Sequence, residues 1–282
     1  MQELISAKFA LENLFNKTKV VFIDSTFHLP VSGRNALEEF NKCHIPNARF
    51  FDINQISDQS SNLPHMLPNE AVFSKMVSKL GINNDDTVVA YDNSVFFSSA
   101  RAWWMFKIFG HKNLKIIDGG LKAWKEQSGP LESKKTIFKD TAYIAQKVNY
   151  KLYENLDSIM DDLNNYRNKV IIDARGEDRF FGQVEEPRPK VRSGHIPTSL
   201  NIPISSLIDK QTNCFKSTSE INQIFIDNEI TNKDAELVMT CGSGVTACGL
   251  AIAANSLGFK NVKVYDGSWS EWGASPKTPI EL

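Results

Sequence analysis

The sequence has few cysteines and no excess of charge of either sign. Its four cysteines, Cys43, Cys214, Cys241 and Cys248, follow no disulfide-scaffold spacing and include no CxxC pair. We therefore expect the cysteines to be reduced thiols in the cytosol, and we expect no metal site. Lysine and arginine total 32 against 33 for aspartate and glutamate, a formal net charge of −1. That balance gives no reason to expect nucleic acid or an anionic membrane as a partner.

Long apolar runs and targeting signals are also missing. No stretch of about 18 apolar residues is present to cross a bilayer. The N-terminal residues mix acidic and basic side chains, unlike the basic start, apolar core and small-residue cleavage site of a secretory signal. These absences predict a cytoplasmic protein. The length of 282 residues suits two domains of ordinary size.

What the sequence does contain is an internal repeat. The matching segments are VVFIDSTF (20–27) with VIIDARGE (170–177), HIPNARFFDI (44–53) with HIPTSLNIPI (195–204), and FGHKNLKIIDGGLKAW (109–124) with LGFKNVKVYDGSWSEW (257–272). Near-constant spacing between the copies indicates two homologous domains. The polar segment 129–142, which opens with a Gly-Pro pair, marks the boundary. We predict a first domain at 1–130, a linker at 131–149 and a second domain at 150–282.

Each copy alternates short β-branched runs with helical patterns. The predicted strands are Val20–Ile23, Thr87–Tyr91, Lys115–Ile117, Val170–Ile172, Leu237–Thr240 and Val262–Tyr265, and the predicted helices include Glu70–Leu80, Ala100–Phe109 and Thr246–Leu257. This alternation predicts an α/β fold in which each domain is a parallel sheet with helices on both faces. Ligands of such sheets bind beyond the carboxyl ends of the strands.

Cys241 follows a predicted strand and opens a glycine-bearing loop that leads into a helix. Gly242 and Gly244 allow the loop to curl around the thiol, and its N–H groups with the helix N-terminus favour an anion there. Such surroundings favour a nucleophilic thiolate and would stabilise a persulfide equally well. Cys248, on an apolar helix, is predicted to be core, and Cys43 and Cys214, which carry no motif, are assigned to the same class.

The motifs around Cys241 resemble those of the tandem rhodanese-type sulfurtransferases over almost the whole chain. CGSGVTA follows the strand, DAR and GHIP lie upstream, and DGSWSEW lies downstream. Family loops reading C-R-K-G-V-T go with thiosulfate and those reading C-G-S-G-V-T with 3-mercaptopyruvate, so Gly242 and Ser243 imply the second donor. The resemblance implies two rhodanese-like domains and a substrate-binding loop made of Gly242, Ser243, Gly244, Val245 and Thr246.

The segment 173–197 offers guanidinium groups for the donor's carboxylate. The resemblance implies that Arg179, in the RF-x-G stretch, and Arg188, which closes the E-E-P-R stretch, contact substrate. Arg175 is instead predicted to form a structural ion pair with Asp173 at the strand end. No general acid or base is assigned from the sequence.

The first domain is predicted to be catalytically silent. The repeat places Asp92 where the second domain has Cys241, and a carboxylate cannot hold sulfane sulfur. The resemblance implies an active site between the domains, so Asp92 and His44 are candidates for contact with that cleft. His44 and His195 both lie in H-I-P, and a histidine shared with the silent copy favours a structural role.

These features predict a two-stage transfer. The Cys241 thiolate takes sulfur from 3-mercaptopyruvate and releases pyruvate, with Ser243 as a proton relay. A thiol such as a thioredoxin, or cyanide, then removes the outer sulfur. No metal or organic cofactor is needed. The alternatives are a thiosulfate:cyanide sulfurtransferase, which the uncharged Gly242–Ser243 pair disfavours, and a non-catalytic persulfide carrier or adaptor, which the paired arginines disfavour.

Overall fold

A computed structural model describes residues 3–94, 97–134 and 136–282. It divides into two compact units. Unit 1 holds the described residues of Met1–Gln59, Leu67–Val148 and Asp209–Phe215, and unit 2 holds Ser60–Met66, Asn149–Ile208 and Lys216–Leu282. The segment Ser60–Met66, from the first half of the sequence, thus groups with unit 2, and Asp209–Phe215, from the second half, groups with unit 1. Most of the predicted linker groups with unit 1.

Unit 1 is an α/β unit around one parallel sheet. Its strands are β1 (Leu4–Ile5), β2 (Val20–Asp24), β3 (Arg49–Phe50), β4 (Thr87–Tyr91) and β5 (Leu114–Ile117), in the order β1-β5-β4-β2-β3. Its helices are α1 (Ala7–Asn13), α2 (Ala36–Lys42), α3 (Glu70–Lys79), α4 (Ser99–Ile108) and α5 (Gly120–Glu126), with a 3-10 turn at Pro30–Ser32. Every strand pair is parallel.

Unit 2 repeats this plan. Its strands are β6 (Tyr153–Glu154), β7 (Lys169–Asp173), β8 (Leu200–Asn201), β9 (Glu236–Thr240) and β10 (Asn261–Tyr265), in the order β6-β10-β9-β7-β8. Its helices are α6 (Leu156–Asp161), α7 (Glu177–Phe180), α8 (Thr218–Asp227), α9 (Ala247–Ser256) and α10 (Ser268–Trp272), with a π-helical turn at Asp162–Tyr166 and a 3-10 turn at Ile204–Leu207. All of its strand pairs are parallel as well.

The predicted α/β class, with a parallel sheet in each half of the chain, is confirmed. Central strands β4 and β9 are buried from their second residue onward, as expected when neither face of a parallel sheet meets water. Helix α9 is buried through Ala254, which explains its nearly continuous apolar sequence. Side-chain oxygens of Asn69 and Ser217 accept hydrogen bonds from the first turns of α3 and α8 and fix where these helices begin.

The strand register aligns the residues that matter for function. In unit 2, Asp173 pairs with Thr240, so Asp173 and Cys241 lie at the same carboxyl edge of the sheet. In unit 1, Asp24 pairs with Tyr91, which puts Asp24 and Asp92 at the equivalent edge. The edge predicted to carry chemistry is therefore present in both units.

Within the described ranges, none of the helices has both the length and the apolar character needed to span a bilayer.

Candidate active site

Cys241 is fixed by the segment that follows β10. Cys241 is only 2% exposed and comes directly after the last residue of β9. The N–H of Cys241 donates to Ser268 Oγ at 3.2 Å, and its carbonyl accepts from the N–H of Trp269 at 2.9 Å. The backbone on either side of the sulfur is therefore held by α10.

The loop 241–246, called here the Cys241 loop, has open hydrogen-bond donors. In the described part of the chain, no group accepts a hydrogen bond from the N–H of Gly242, Ser243, Val245 or Thr246. Helix α9 begins at the next residue, so its positive end adds to these donors. Unsatisfied N–H groups at a helix N-terminus stabilise an anion, and a thiolate or persulfide is the anion that Cys241 can provide.

The two glycines of the loop have different structural roles. Gly244 has a φ of +73°, a left-handed conformation that other residues seldom adopt. At Gly242 the absence of a side chain leaves room, because a Cβ there would lie 3.1 Å from Arg179 Nη2, closer than ordinary contact, and 3.7 Å from Arg188 Nη1. The missing side chain at 242 thus lets both guanidinium groups approach the loop.

Arg188 reaches the loop from the side. Its Nη2 donates to Ser243 Oγ at 3.3 Å, and among the described residues no carboxylate forms an ion pair with it. Burial lowers the pKa of Arg188 below its ordinary value, and the nearby Cys241 thiolate acts in the opposite direction. A half-buried cation without a carboxylate partner is well suited to bind an anionic substrate.

Arg179 also lies beside the loop but is already paired. Its Nη2 donates to Glu186 Oε2 at 2.6 Å and its Nε to Oε1 at 3.1 Å. The structure therefore brings both predicted arginines next to Gly242, while only Arg188 keeps an uncompensated charge. No feature of the sequence indicated this difference between the two arginines.

Arg175 forms the predicted ion pair with Asp173. Its Nη2 lies 2.8 Å from Asp173 Oδ2, and its Nη1 lies 2.9 Å from Glu186 Oε1. The guanidinium carbon also sits 4.4 Å from the ring centre of Trp269. Burial alone would lower the pKa of Arg175, but these two carboxylates raise it. Arg175 thus has a structural role, since it holds the carboxylates of Asp173 and Glu186.

His65 was missed by the sequence reasoning. Its Nδ1 lies 2.9 Å from Ser243 Oγ, and the residue is 6% exposed. It belongs to the segment Ser60–Met66, which groups with unit 2. The two residues are 178 positions apart in sequence and the histidine has no counterpart in the repeat, so no local signal marked it. Because Arg188 donates to Ser243 Oγ, the hydroxyl proton can point to His65 Nδ1.

His44 and His195 occupy matching structural positions. Their Nδ1 atoms lie 2.6 and 3.0 Å from the carbonyl oxygens of Phe40 and Phe180, and each ring stacks on that phenylalanine. Both histidines are buried. The shared H-I-P motif therefore shapes the same turn in both units.

Asp92 is enclosed in its own loop. Its Oδ1 accepts from the N–H and Oγ–H of Ser94, and its Oδ2 accepts from the N–H of Ser99, where α4 begins. Both carboxylate oxygens are thus engaged within unit 1. Contact of Asp92 or His44 with a substrate cleft stays a prediction.

The other three cysteines differ from one another. Cys248 is fully buried and its Sγ–H donates to the carbonyl of Gly244, as predicted for a core residue. The core assignment is wrong for Cys43 and Cys214, which are both half-buried. Cys43 ends the short helix α2, and Cys214 lies in the segment Asp209–Phe215 against Gly119. Neither has the loop of open N–H donors that surrounds Cys241.

Comparisons with known proteins identify the family to which the chain is related. A model of the rhodanese-like domain family matches residues 7–127 and 154–275. Human 3-mercaptopyruvate sulfurtransferase is 40% identical over 89% of this chain and 84% of that protein. The 3-mercaptopyruvate sulfurtransferase of Escherichia coli K12 is 39% identical over 93% of this chain and 92% of that protein.

Solved structures share the whole fold. Tum1 from Saccharomyces cerevisiae superposes with a TM-score of 0.91 at 29% identity, covering 99% of this chain and 98% of that one. SseA from Escherichia coli, described with the "Rhodanese" fold of 3-mercaptopyruvate sulfotransferases, superposes with a TM-score of 0.84 at 34% identity. That match covers 95% of this chain and 99% of SseA.

Proposed function

Because the chain belongs to the rhodanese-like sulfurtransferases and has two rhodanese-like domains, we propose that it transfers sulfur from 3-mercaptopyruvate through a Cys241 persulfide. The observation that carries this proposal is the position of Arg188 beside the Cys241 loop, with Nη2 3.3 Å from Ser243 Oγ. A cation without a carboxylate partner there can hold a carboxylate whose sulfur meets the thiol.

In the first stage, the Cys241 thiolate attacks the sulfur of bound 3-mercaptopyruvate. The S–S bond forms as the C–S bond breaks, and the electron pair of that bond passes to the carbon, which leaves as the enolate of pyruvate. Arg188 and Arg179 stabilise the charge on this leaving group. The donor's thiol proton, which stays on the outer sulfur after the transfer, is passed by Ser243 and His65, whose Oγ and Nδ1 atoms are 2.9 Å apart, to the enolate carbon. Pyruvate leaves, and Cys241 keeps the persulfide anion.

In the second stage, an acceptor attacks the outer sulfur of the persulfide and restores the Cys241 thiolate. A thiol acceptor leaves as a persulfide, and cyanide leaves as thiocyanate. The open N–H groups of Gly242, Ser243, Val245 and Thr246 stabilise the sulfur anion in both stages. Separating the transfer into two steps requires ping-pong kinetics. A thioredoxin-type dithiol and cyanide are the proposed acceptors, and cytoplasmic location stays a prediction.

Thiosulfate is a second candidate donor, since an Arabidopsis relative with 38% identity is named a thiosulfate/3-mercaptopyruvate sulfurtransferase. Two features count against it as the main donor here. Ser243 adds no charge to the loop, and the space beside Gly242 is taken by Arg179 and Arg188. An arginine at position 242, as in the C-R-K-G-V-T loops, would bring a third positive charge against those of Arg179 and Arg188. A non-catalytic carrier would have no use for Arg188.

The test measures pyruvate release from 3-mercaptopyruvate with a thiol acceptor, beside turnover of thiosulfate, for the wild type, Cys241→Ser and Cys214→Ser. We expect 3-mercaptopyruvate to be preferred, Cys241→Ser to lose more than about 1,000-fold of the activity, and Cys214→Ser to keep it. Preference for thiosulfate would overturn the donor. Loading of Cys241 by a protein donor without turnover of either small molecule would favour the carrier.

A further inference from the structure

Glu186 places a buried carboxylate against Arg179. Its side chain is only 3% exposed, and it accepts hydrogen bonds from both Arg175 and Arg179. The pairing with Arg179 is bidentate, which fixes the plane of the guanidinium as well as its position. The mechanism above uses Arg179 but assigns nothing to Glu186.

The charges around the Cys241 loop can be counted from these contacts. Asp173, Arg175, Glu186 and Arg179 form a continuous chain of ion pairs, called here the guanidinium–carboxylate cluster. Two cations and two anions in it cancel. Arg188 stands outside the cluster and adds a single positive charge beside Ser243. The Cys241 thiolate is the nucleophile toward either donor, so its charge does not distinguish between them. The neighbouring acidic residues Glu177, Asp178 and Glu185 are exposed, so water and salt screen them.

The donors differ in charge in a way that this count can distinguish. The 3-mercaptopyruvate molecule with a neutral thiol carries one negative charge on its carboxylate, whereas thiosulfate carries two. A buried site with one uncompensated cation matches the first and leaves half the charge of the second unpaired. Leaving a charge unpaired in a buried site is costly, so charge matching separates related ligands strongly.

We propose that Glu186 determines donor specificity: its buried carboxylate neutralises Arg179, so that the two arginines beside the Cys241 loop present one positive charge to the donor and select a monoanionic donor over a dianionic one. This inference rests on the proposed function and extends it. Glu186 acts through Arg179 and is a positioning residue, since it does not itself contact the Cys241 loop in any hydrogen bond of the described residues.

The test compares the kcat/KM ratio of thiosulfate to 3-mercaptopyruvate in variants of Glu186. Glu186→Gln and Glu186→Met both remove the negative charge, and the second places no amide N–H against the two guanidinium groups. We expect either variant to raise the ratio at least about tenfold. Glu185→Gln is the matched control, because it makes the same change of charge one residue away on an exposed side chain. It should leave the ratio within about twofold.

Glu186→Asp keeps the charge and shortens the side chain. It should lower both kcat/KM values while the ratio stays near that of the wild type, which separates charge from packing. A purely structural role for Glu186 would lower turnover of both donors in parallel in every variant. That result, or an equal change of the ratio in Glu185→Gln, would overturn the proposal.

A second readout does not depend on turnover. The rise in melting temperature caused by pyruvate, a monoanion, and by sulfate, a dianion, can be measured at equal ionic strength for the same variants. Loss of charge at Glu186 should increase the effect of sulfate relative to that of pyruvate, and Glu185→Gln should not. If the wild type fails to turn over 3-mercaptopyruvate, the proposed function fails, while this comparison still decides the role of Glu186.

Discussion

The two units place a buried aspartate at the same strand end and surround it differently. In unit 2, Asp173 is paired with the guanidinium of Arg175. In unit 1, Thr26 stands at the position equivalent to Arg175, and Asp24 receives only hydrogen bonds from it. Burial, with a smaller contribution from the charge of Asp92, raises the pKa of Asp24 to about 7. Among the described residues, a guanidinium thus pairs with the buried strand-end aspartate of unit 2, and no basic side chain forms an ion pair with that of unit 1.

The loops that follow the central strands differ in the same way. In unit 1, the N–H and the Oγ–H of Ser94 both donate to Asp92, so these two donors are occupied by the loop's own carboxylate. The equivalent Ser243 of unit 2 instead contacts His65 and Arg188, and the N–H groups beside it are open. One scaffold therefore yields a loop closed on itself and a loop open to a ligand. The predictions below test this difference, from the largest expected effect to the smallest.

Removing the aspartate should have unequal consequences in the two units. Asp173→Asn leaves Arg175 buried beside only Glu186, and breaking such a buried pair costs about 3–5 kcal/mol. A fall in melting temperature of roughly 6–20 °C is expected for a chain of this kind. The equivalent change Asp24→Asn removes no cation partner and should not lower the melting temperature at pH 8. Similar losses in both variants would contradict the difference between the units.

Arg188 should affect turnover through direct contact of its guanidinium with the donor's carboxylate, and not merely by adding positive charge to the region. Arg188→Ala is expected to lower kcat/KM for 3-mercaptopyruvate about 100-fold, the value of a charge-assisted hydrogen bond of about 3 kcal/mol. Arg188→Lys should recover only part of it, because an ammonium group cannot bind a carboxylate bidentately. Lys190→Ala removes an exposed cation two residues away and should change kcat/KM less than twofold. Equal effects of Ala at 188 and 190 would refute the contact.

His65 should act through Ser243. His65→Gln is expected to lower kcat about tenfold, since one buried hydrogen bond of about 1.4 kcal/mol orients the hydroxyl. Ser243→Ala should lose a similar amount, and the double variant should lose no more than either, as measured in a double-mutant cycle. His195→Gln, at a histidine held in a structural turn, should lower the melting temperature and leave this coupling intact. Additive losses at 65 and 243 would contradict a relay.

Asp24 should make unit 1 less stable as pH rises. The folded state keeps the Asp24 proton up to about pH 7, whereas the unfolded chain releases it near the ordinary pKa of 3.8. The folded state thus binds more protons between these values, and its contribution to stability falls by up to about 1.4 kcal/mol per pH unit from pH 4 to 7. Asp24→Asn should lose this dependence and exceed the wild type in melting temperature at pH 8. Parallel melting curves from pH 4 to 8 would contradict the raised pKa.

The sequence predicted those elements and contacts that depend on residues close together along the chain. The β-branched runs at 87–91 and 237–240 and the apolar helix at 246–257 gave strands and a helix within a residue or two of those observed. The glycines and position of the Cys241 loop could be read for the same reason. The ion pair of Arg175 with Asp173 was predictable because the two residues are neighbours along one strand end.

Contacts between distant segments could not be predicted in this way. His65 meets Ser243 only because the segment Ser60–Met66 groups with unit 2, and one sequence shows no sign of that exchange. The pairing of Glu186 with Arg179 rather than Arg188 depends on how the 177–188 segment turns back, which periodicity does not encode. Cys43 and Cys214 were misassigned to the core because absence of a motif says nothing about burial.

The central claim is that sulfur from 3-mercaptopyruvate is held on Cys241 and on no other cysteine. The direct measurement treats the protein with 3-mercaptopyruvate without an acceptor and locates the added mass by peptide mapping. Fragment ions must separate Cys241 from Cys248, because no lysine or arginine lies between them. We predict one added sulfur atom on Cys241, removed when a thiol acceptor is supplied. Release of pyruvate with the sulfur on another cysteine, or with none bound, would contradict the account.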